Sequence, residues 1–286
     1  GLAAGAMPTL IKVEEGILAA KPKDQAAIVQ TAQLYVMYGN AFVQGPAQDL
    51  DAQHYQEKQA ADLRARALYR RAFAILGPAL DRRAPGIVGL WRNGTAEPID
   101  PAHPEKGSRP KGGGALLDRF GTGDLPLLYW SSASILAAYA VAPLDLREAS
   151  IVGLAKALLD RGLAIDPAWN EGSLEELAVS VYSSFPAELG GDPATAMKAY
   201  RRGLEITKGR SASLYVTYAS TICVANDDFA GFKTSLAAAL AIDPDANPKT
   251  RLATTIAQAN ARRMLAHAGD YFLEATDAAP GQGSQN

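Results

Sequence analysis

The residues best able to do chemistry are scattered along the chain and form no catalytic or metal-binding arrangement. The histidines, His54, His103 and His267, lie far apart and lack the spacing of metal ligands. The single cysteine, Cys223, excludes an intramolecular disulfide and a cysteine-rich zinc site. Because it lies in an apolar run, we predict that it is a small buried hydrophobe.

Other short motifs lack a residue that their chemistry requires. Glu175 and Glu176 are adjacent, so on a helix they point about 100° apart and cannot form a facing acid pair. The glycine run at 111–114 follows no strand, which favours a flexible loop over a phosphate cradle. Residues 243–247 resemble the start of a calcium loop, but Pro248 stands where glycine is needed, so a turn with a helix cap is predicted. We therefore predict no enzyme, no metal and no cofactor.

A different set of residues, aromatic rings beside a few polar groups, has the composition of a ligand-binding surface. Tyr215 and Tyr218 are three residues apart and share a helical face, as do Gln258 and Arg262 at a spacing of four. The candidate ligand-binding residues are Asn40, Phe42, Tyr129, Trp130, Tyr215, Tyr218, Gln258 and Arg262. The alternative is that the rings fill the space between helices and the polar groups face water.

The elements that must position these residues are predicted from four copies of one pattern. The copies are residues 65–75, 155–165, 196–206 and 232–242. Each has small and bulky residues at offsets that trace one stripe along a helix, as in the second helix of a tetratricopeptide repeat. Only the last two copies are separated by nearly the usual period of that repeat. The predicted fold class is all-α, with degenerate tetratricopeptide-like helical hairpins stacked into a compact superhelix.

A first helix is predicted before each copy, at residues 24–44, 124–141, 171–184 and 211–225. Asp24 and Asp124 are the expected caps of the first two. Leu214–Tyr218 has the propensity of a strand, but its small and aromatic residues recur at helical spacing, so a helix is predicted. A final helix is expected from about Pro248 to about His267.

Length and composition bound the remaining possibilities. The chain has 286 residues, 48% of them hydrophobic, and a formal net charge of −2. Such a chain can bury a large core, and without a long basic run nucleic acid is excluded as a partner. We predict one helical-repeat domain over 1–275, an inserted loop at 84–123 with one short packed helix around Leu116, and a disordered tail at 276–286. No run reaches the roughly 18 apolar residues of a membrane-spanning helix.

Five segments, in the same order, carry a resemblance to a known family. They are YGNAFVQ (38–44), LPLLYWSSAS (125–134), SASLYVTYAS (211–220), LAIDPDANPKTRLA (240–253) and AQANARRML (257–265). The chain resembles the TatT family, the T-component proteins of tripartite ATP-independent periplasmic (TRAP) transporters. The resemblance implies an all-helical fold of cryptic tetratricopeptide units with a hydrophobic channel or cavity. It also implies a periplasmic lipoprotein that can form a homotrimer and pair with the solute-binding subunit of the transporter.

Two features depart from the family pattern. Family members are tethered through a lipidated N-terminal cysteine, whereas this sequence begins with Gly1. Either the start has been trimmed, so that the anchor belongs to a full-length precursor, or tethering does not apply. Relatives often have His-Glu in the helix after the second repeat, where Glu175-Glu176 stands here. A role for that histidine is therefore not transferred.

These observations predict a non-enzymatic periplasmic accessory component of a TRAP-type transporter. It would bind a hydrophobic or amphipathic solute in a cavity and dock to the solute-binding subunit, with membrane contact only through a lipid anchor. Burial of apolar area would contribute about 25 cal/mol per Å², and Arg262 or Asn40 would orient a polar head such as a carboxylate. The alternative is a helical-repeat scaffold that binds a partner protein segment and no small molecule.

Overall fold

A computed structural model describes residues 2–50, 52–94, 110–187 and 190–273. Over those residues the structure is 81% helical and contains no strands, which confirms the all-α fold class. The stacking of the helices into a superhelix stays a prediction. The tail predicted at 276–286 lies outside the described residues, as does His103.

The chain divides into two compact units. Unit 1 comprises residues 1–170 with 186–190, and unit 2 comprises residues 171–185 with 191–286. The single repeat domain expected over 1–275 stays a prediction, and each unit is described by itself.

The second helix of unit 1 starts at its predicted cap, because Asp24 Oδ1 accepts a hydrogen bond from the Ala27 backbone N–H at 2.8 Å. The helices of unit 1 are α1 (Leu2–Ala20), α2 (Gln25–Tyr38), α3 (Gly45–Ala47), α4 (Tyr55–Arg83), α5 (Ile87–Asn93), α6 (Gly113–Leu117), α7 (Leu125–Val141) and α8 (Leu146–Ile165). A π-helical segment, Gly39–Gln44, joins α2 to α3. Short 3-10 turns, Ala52–His54 and Thr122–Asp124, precede α4 and α7.

Helix α7 packs against α2, α4 and α8 and forms the centre of unit 1. Two of its buried hydroxyls bond to backbone carbonyls: Ser132 Oγ lies 2.8 Å from the Ala155 oxygen on α8, and Ser134 Oγ lies 2.9 Å from the Ser131 oxygen. The cap predicted for α7 is corrected by the structure. Asp124 precedes the helix, but its carboxylate accepts from Arg83 Nε at 2.9 Å and forms no cap bond to α7.

The described part of the predicted insertion at 84–123 contains two short helices. Helix α6 confirms the short helix expected around Leu116, whereas α5 was not predicted. Gly112 has a φ of 80°, and a Cβ on Gly113 would lie 2.5 Å from Trp91 Cη2. The glycine run predicted as a flexible loop is therefore a turn followed by a close-packed helix start.

Unit 2 contains most of α9 (Trp169–Ser184), then α10 (Pro193–Thr207), α11 (Ala212–Tyr218), α12 (Phe229–Leu240) and α13 (Arg251–Ala266). A second π-helical segment, Ala219–Cys223, continues α11, so the helix predicted over 211–225 is confirmed against the strand propensity. Helix α13 begins later than predicted. Asp243 and Asn247 each accept a hydrogen bond from the backbone two residues on, at 2.9 and 3.1 Å, which forms turns before the helix.

The repeated stripe is buried in every copy. Its first three positions are Ala65, Tyr69 and Ala72; Ala155, Leu159 and Gly162; Ala196, Tyr200 and Gly203; and Phe232, Leu236 and Ala239. A Cβ on Gly203 would lie 2.9 Å from Leu214 Cδ2, which confirms that a small residue lets a neighbouring helix approach closely.

Candidate functional site

The structure divides the eight predicted ligand-binding residues between the two units. Unit 1 holds Asn40, Phe42, Tyr129 and Trp130, and unit 2 holds Tyr215, Tyr218, Gln258 and Arg262. Asn40 and Arg262, the residues expected to bind the polar head group of a ligand, are exposed. Their part in a binding site stays a prediction.

The aromatic members of this set are half-buried, and Phe42, Tyr129, Trp130 and Tyr218 contact other rings. In unit 1 the Tyr129 ring meets Trp130 edge-on, with centroids 5.0 Å apart, and lies 5.4 Å from Trp169. In unit 2 the Tyr218 ring stacks on Tyr200 with centroids 4.1 Å apart. Burial raises the pKa of both hydroxyls of this stacked pair. Each ring thus packs between helices, as in the alternative interpretation, and keeps part of its surface accessible.

Gln258 has a structural role that its spacing from Arg262 did not reveal. Its side-chain nitrogen lies 3.2, 3.3 and 2.6 Å from the carbonyl oxygens of Ala239, Leu240 and Ile242. The carbonyls at a helix end have no partner within the helix. The buried amide of Gln258 therefore caps the end of α12.

Both π-helical segments follow the same short motif, which the sequence analysis missed. Ala-x-Leu-Tyr-Val-x-Tyr occurs at residues 32–38 and again at 212–218. In each copy the π-helical segment begins at the next residue, Gly39 or Ala219. Such widened turns are rare and frequently occur at functional sites.

An open groove of about 540 Å³ in unit 1 is the candidate ligand site, and none of the eight predicted residues lines it. Helices α4, α5, α7 and α8 form its walls. The apolar lining consists of Phe73, Ala74, Gly77, Pro78, Val88, Ile135, Ala138 and Ile151. Small-molecule pockets typically have about 300–1,000 Å³ and the same mixture of apolar walls with a few polar groups.

Ion pairs between α4 and the start of α8 hold two walls of the groove together. The buried Glu148 carboxylate accepts from Arg66 Nε at 2.9 Å and from Arg70 Nε at 2.5 Å. Asp145, which caps α8, also accepts from Arg66, and this guanidinium keeps the pKa of Asp145 below its usual value. The charge of Glu148 is thus compensated by α4.

Arg92 and Arg147 are two cationic residues among the lining residues that sequence reasoning missed. Each lies four residues from an apolar lining residue on its own helix, Val88 on α5 and Ile151 on α8. That spacing is a signal, because residues four apart share a helical face. It identifies no site by itself, since only tertiary packing brings the two helices to one groove.

In unit 2 the adjacent carboxylates Glu175 and Glu176 have different partners. The buried Glu175 pairs with Arg202, with Nε and Oε1 2.9 Å apart, whereas Glu176 Oε2 accepts from Ser213 Oγ at 2.6 Å. Burial raises the pKa of both carboxyl groups. They form no facing acid pair, as the sequence predicts.

Cys223 is fully buried, and burial raises the pKa of its thiol to about 11. A thiol of this kind is unreactive at neutral pH, because the thiolate is the nucleophile. Among the residues that the structure describes, no group of three His, Cys, Asp or Glu side chains could hold a metal ion.

Within the described ranges, no helix has both the length and the apolar character needed to cross a bilayer. Fold and groove together define a class: an all-α protein of packed helices with an open, largely apolar groove. A family model for the TRAP transporter T-component matches residues 1–272. The chain therefore belongs to the TRAP transporter T-component family, which confirms the resemblance to TatT.

One relative extends this similarity. An uncharacterized protein of Treponema pallidum (strain Nichols) is 29% identical over 273 residues, which is 96% of this chain and 80% of the relative. Membership of the family gives the chain an accessory role in a TRAP transporter. The family is one of transporter components and is not a known enzyme family.

Proposed function

We propose that this chain is a periplasmic accessory component that holds an apolar or amphipathic solute in the groove of unit 1 and docks to the solute-binding subunit. The observation that carries the solute proposal is the groove itself, with its apolar residues on α4, α5, α7 and α8. Burial of a ligand's apolar surface there would contribute about 25 cal/mol per Å². The ion pairs of Glu148 support the proposal, because they hold two walls in place before a ligand arrives.

Blocking the groove tests the proposal directly. Ala74 is exposed on α4 and lines the groove, so Ala74→Trp fills space without entering the core. Ala60 is also exposed on α4 but does not line the groove, so Ala60→Trp is the matched control. We expect native mass spectrometry and solvent extraction to detect a carried apolar molecule in the unaltered chain and in Ala60→Trp, and not in Ala74→Trp. Equal loading of all three proteins would contradict the proposed site.

The predicted aromatic residues are a second candidate surface for binding the solute. Tyr129 and Trp130 on α7 and Phe42 on the first π-helical segment offer half-buried ring surface. Tyr215 and Tyr218 offer the same in unit 2. Crosslinking with a photoreactive fatty alcohol, followed by peptide mapping, distinguishes these rings from the groove.

A scaffold that binds a protein segment is the second candidate, and one observation favours it. Leu144 and Leu146, in the turn before α8 and at its first residue, are 94% and 84% exposed. Large exposed apolar side chains at one place are typical of contact surfaces. Leu144→Asp with Leu146→Asp should weaken binding to the solute-binding subunit at least tenfold in surface plasmon resonance. The same change at the exposed Leu252 is the control.

The homotrimer and the lipid anchor implied by the resemblance belong to this proposal as well. Light scattering of the purified chain gives the oligomeric mass, and a monomer at high concentration would contradict the trimer. Mass spectrometry of the precursor produced in a bacterial host tests the anchor, since a diacylated N-terminal cysteine has a distinct mass.

A further inference from the structure

The groove contains cationic groups that have no partner among the residues that the structure describes. Arg92 on α5 and Arg147 on α8 both line it, and both are exposed. Among the described residues neither guanidinium has an ion pair or a side-chain hydrogen bond. Other arginines nearby are engaged, because Arg66 and Arg70 both bind Glu148.

Two carboxylates, those of Glu148 and Asp81, also line the groove, and each has a partner in unit 1. Glu148 is buried and accepts from two guanidinium groups. Asp81 accepts from the Val88 backbone N–H at 3.2 Å at the start of α5. The lining has the three guanidinium groups of Arg70, Arg92 and Arg147 against these two carboxylates, so its net charge is positive, beside a wall that is mostly apolar.

We propose that the solute is an aliphatic carboxylate, with its chain along the apolar wall and its carboxylate at Arg92 and Arg147. Guanidinium groups recognise carboxylates through paired, charge-assisted hydrogen bonds. The apolar wall, which includes Phe73, Ile135 and Ile151, accommodates the chain. This inference rests on the proposed function, since it specifies the chemistry of the solute in the same groove.

Calorimetric titration with matched probes tests the charge requirement. We expect decanoate to bind the unaltered chain at least tenfold more tightly than decanol. The double variant Arg92→Gln with Arg147→Gln should lose about tenfold in decanoate affinity and keep its decanol affinity. Arg201→Gln is the matched control, because Arg201 is exposed on α10 and does not line the groove. It should bind both probes like the unaltered chain.

Chain length tests the apolar wall. Dodecanoate should bind about 15-fold more tightly than decanoate, because each added methylene contributes about a fourfold factor. Ala74→Trp should weaken both acids and decanol alike.

The outcomes separate the inference from the proposed function. Equal decanoate affinity in the double variant and in Arg201→Gln would overturn the carboxylate assignment and leave an apolar solute in place. A preference of more than tenfold for decyl phosphate over decanoate would also overturn it, in favour of a phosphate head. Binding of neither decanoate nor decanol to the unaltered chain would overturn both proposals.

Discussion

The two copies of the Ala-x-Leu-Tyr-Val-x-Tyr motif adopt the same backbone but bury different side chains. In unit 1, Tyr35 and Val36 are buried, and the Tyr35 hydroxyl donates to Glu15 on α1. In unit 2, Leu214 is buried against Gly203 of α10, whereas Tyr215 is only half-buried. Local sequence thus specifies the helix and its widened turn, and the neighbouring helix decides which side chains form the core.

The residue after the motif shows the same dependence on neighbours. A Cβ on Gly39 would lie 2.8 Å from Cε1 of the fully buried Tyr69 ring. The corresponding Ala219 has a Cβ and is itself fully buried. The absence of a side chain at residue 39 is therefore required by α4 and not by the widened turn.

The largest effect on stability is expected from adding a side chain at residue 39, where unit 1 has Gly39 and unit 2 has Ala219. Gly39→Val should destabilise unit 1 by about 3 kcal/mol, because the buried Tyr69 ring, whose hydroxyl donates to Gln44, would have to shift. Thermal unfolding followed by circular dichroism measures the effect. Ala219→Gly in unit 2 is the comparison and should cost about 1 kcal/mol. Equal and small losses at both positions would show that the close contact with Tyr69 does not matter.

A pH-dependent difference is expected at the fifth residue after Tyr38 and Tyr218, where unit 1 has Val43 and unit 2 has Cys223. Burial raises the pKa of the Cys223 thiol to about 11, above its ordinary value of 9.0. The folded state therefore holds this proton more tightly than the unfolded state. The contribution to stability is complete below pH 9 and is lost as the pH rises from 9 to 11.

Cys223→Val introduces the valine that unit 1 has at residue 43 and removes the pH dependence that the thiol contributes to stability. We expect the fall in free energy of unfolding between pH 9 and 11 to become smaller by about 2 kcal/mol. Urea titrations at both pH values measure it. Buried tyrosines such as Tyr69 and Tyr200 also have raised pKa values, so part of the fall remains in the variant. An unchanged slope would mean that the thiol titrates as in the unfolded chain.

The sequence predicted the helices but not the groove, for physical reasons. The stripe that includes Tyr69, Tyr200 and Gly203 was recognised because small and bulky residues at fixed offsets encode helix packing locally. The groove was not recognised, because Arg92 and Arg147 lie on helices that are far apart in sequence. Such convergence depends on tertiary packing, which no local pattern encodes.

Gln258 illustrates the limit of spacing as evidence. Its distance of four residues from Arg262 correctly places both on one helical face. On that face Gln258 is buried and caps α12, whereas Arg262 is exposed. The pattern gave the geometry of the helix but could not show which acceptors lie opposite each side chain.

A smaller effect is expected from the stacked rings that only unit 2 has at this position. Tyr218 stacks on Tyr200 with centroids 4.1 Å apart, whereas Tyr38 has a tilted contact with Phe42 at 6.3 Å. A double-mutant cycle of Tyr200→Leu and Tyr218→Leu should give a coupling energy of about 1 kcal/mol. The same cycle on Tyr38 and Phe42 should give less than half of that. Equal couplings would remove stacking as a difference between the units.

The smallest effect on stability is expected at the exposed residue that follows Gly39 or Ala219. Asn40→Ser places the residue of unit 2 in unit 1 and should cost at most about 1 kcal/mol, and Ser220→Asn should stay within about 0.5 kcal/mol. Decanoate titration of both variants then separates stability from function. If the groove is the site, Asn40→Ser binds decanoate like the unaltered chain, because Asn40 does not line it. A loss of binding with unchanged stability would instead make the first π-helical segment part of the solute site.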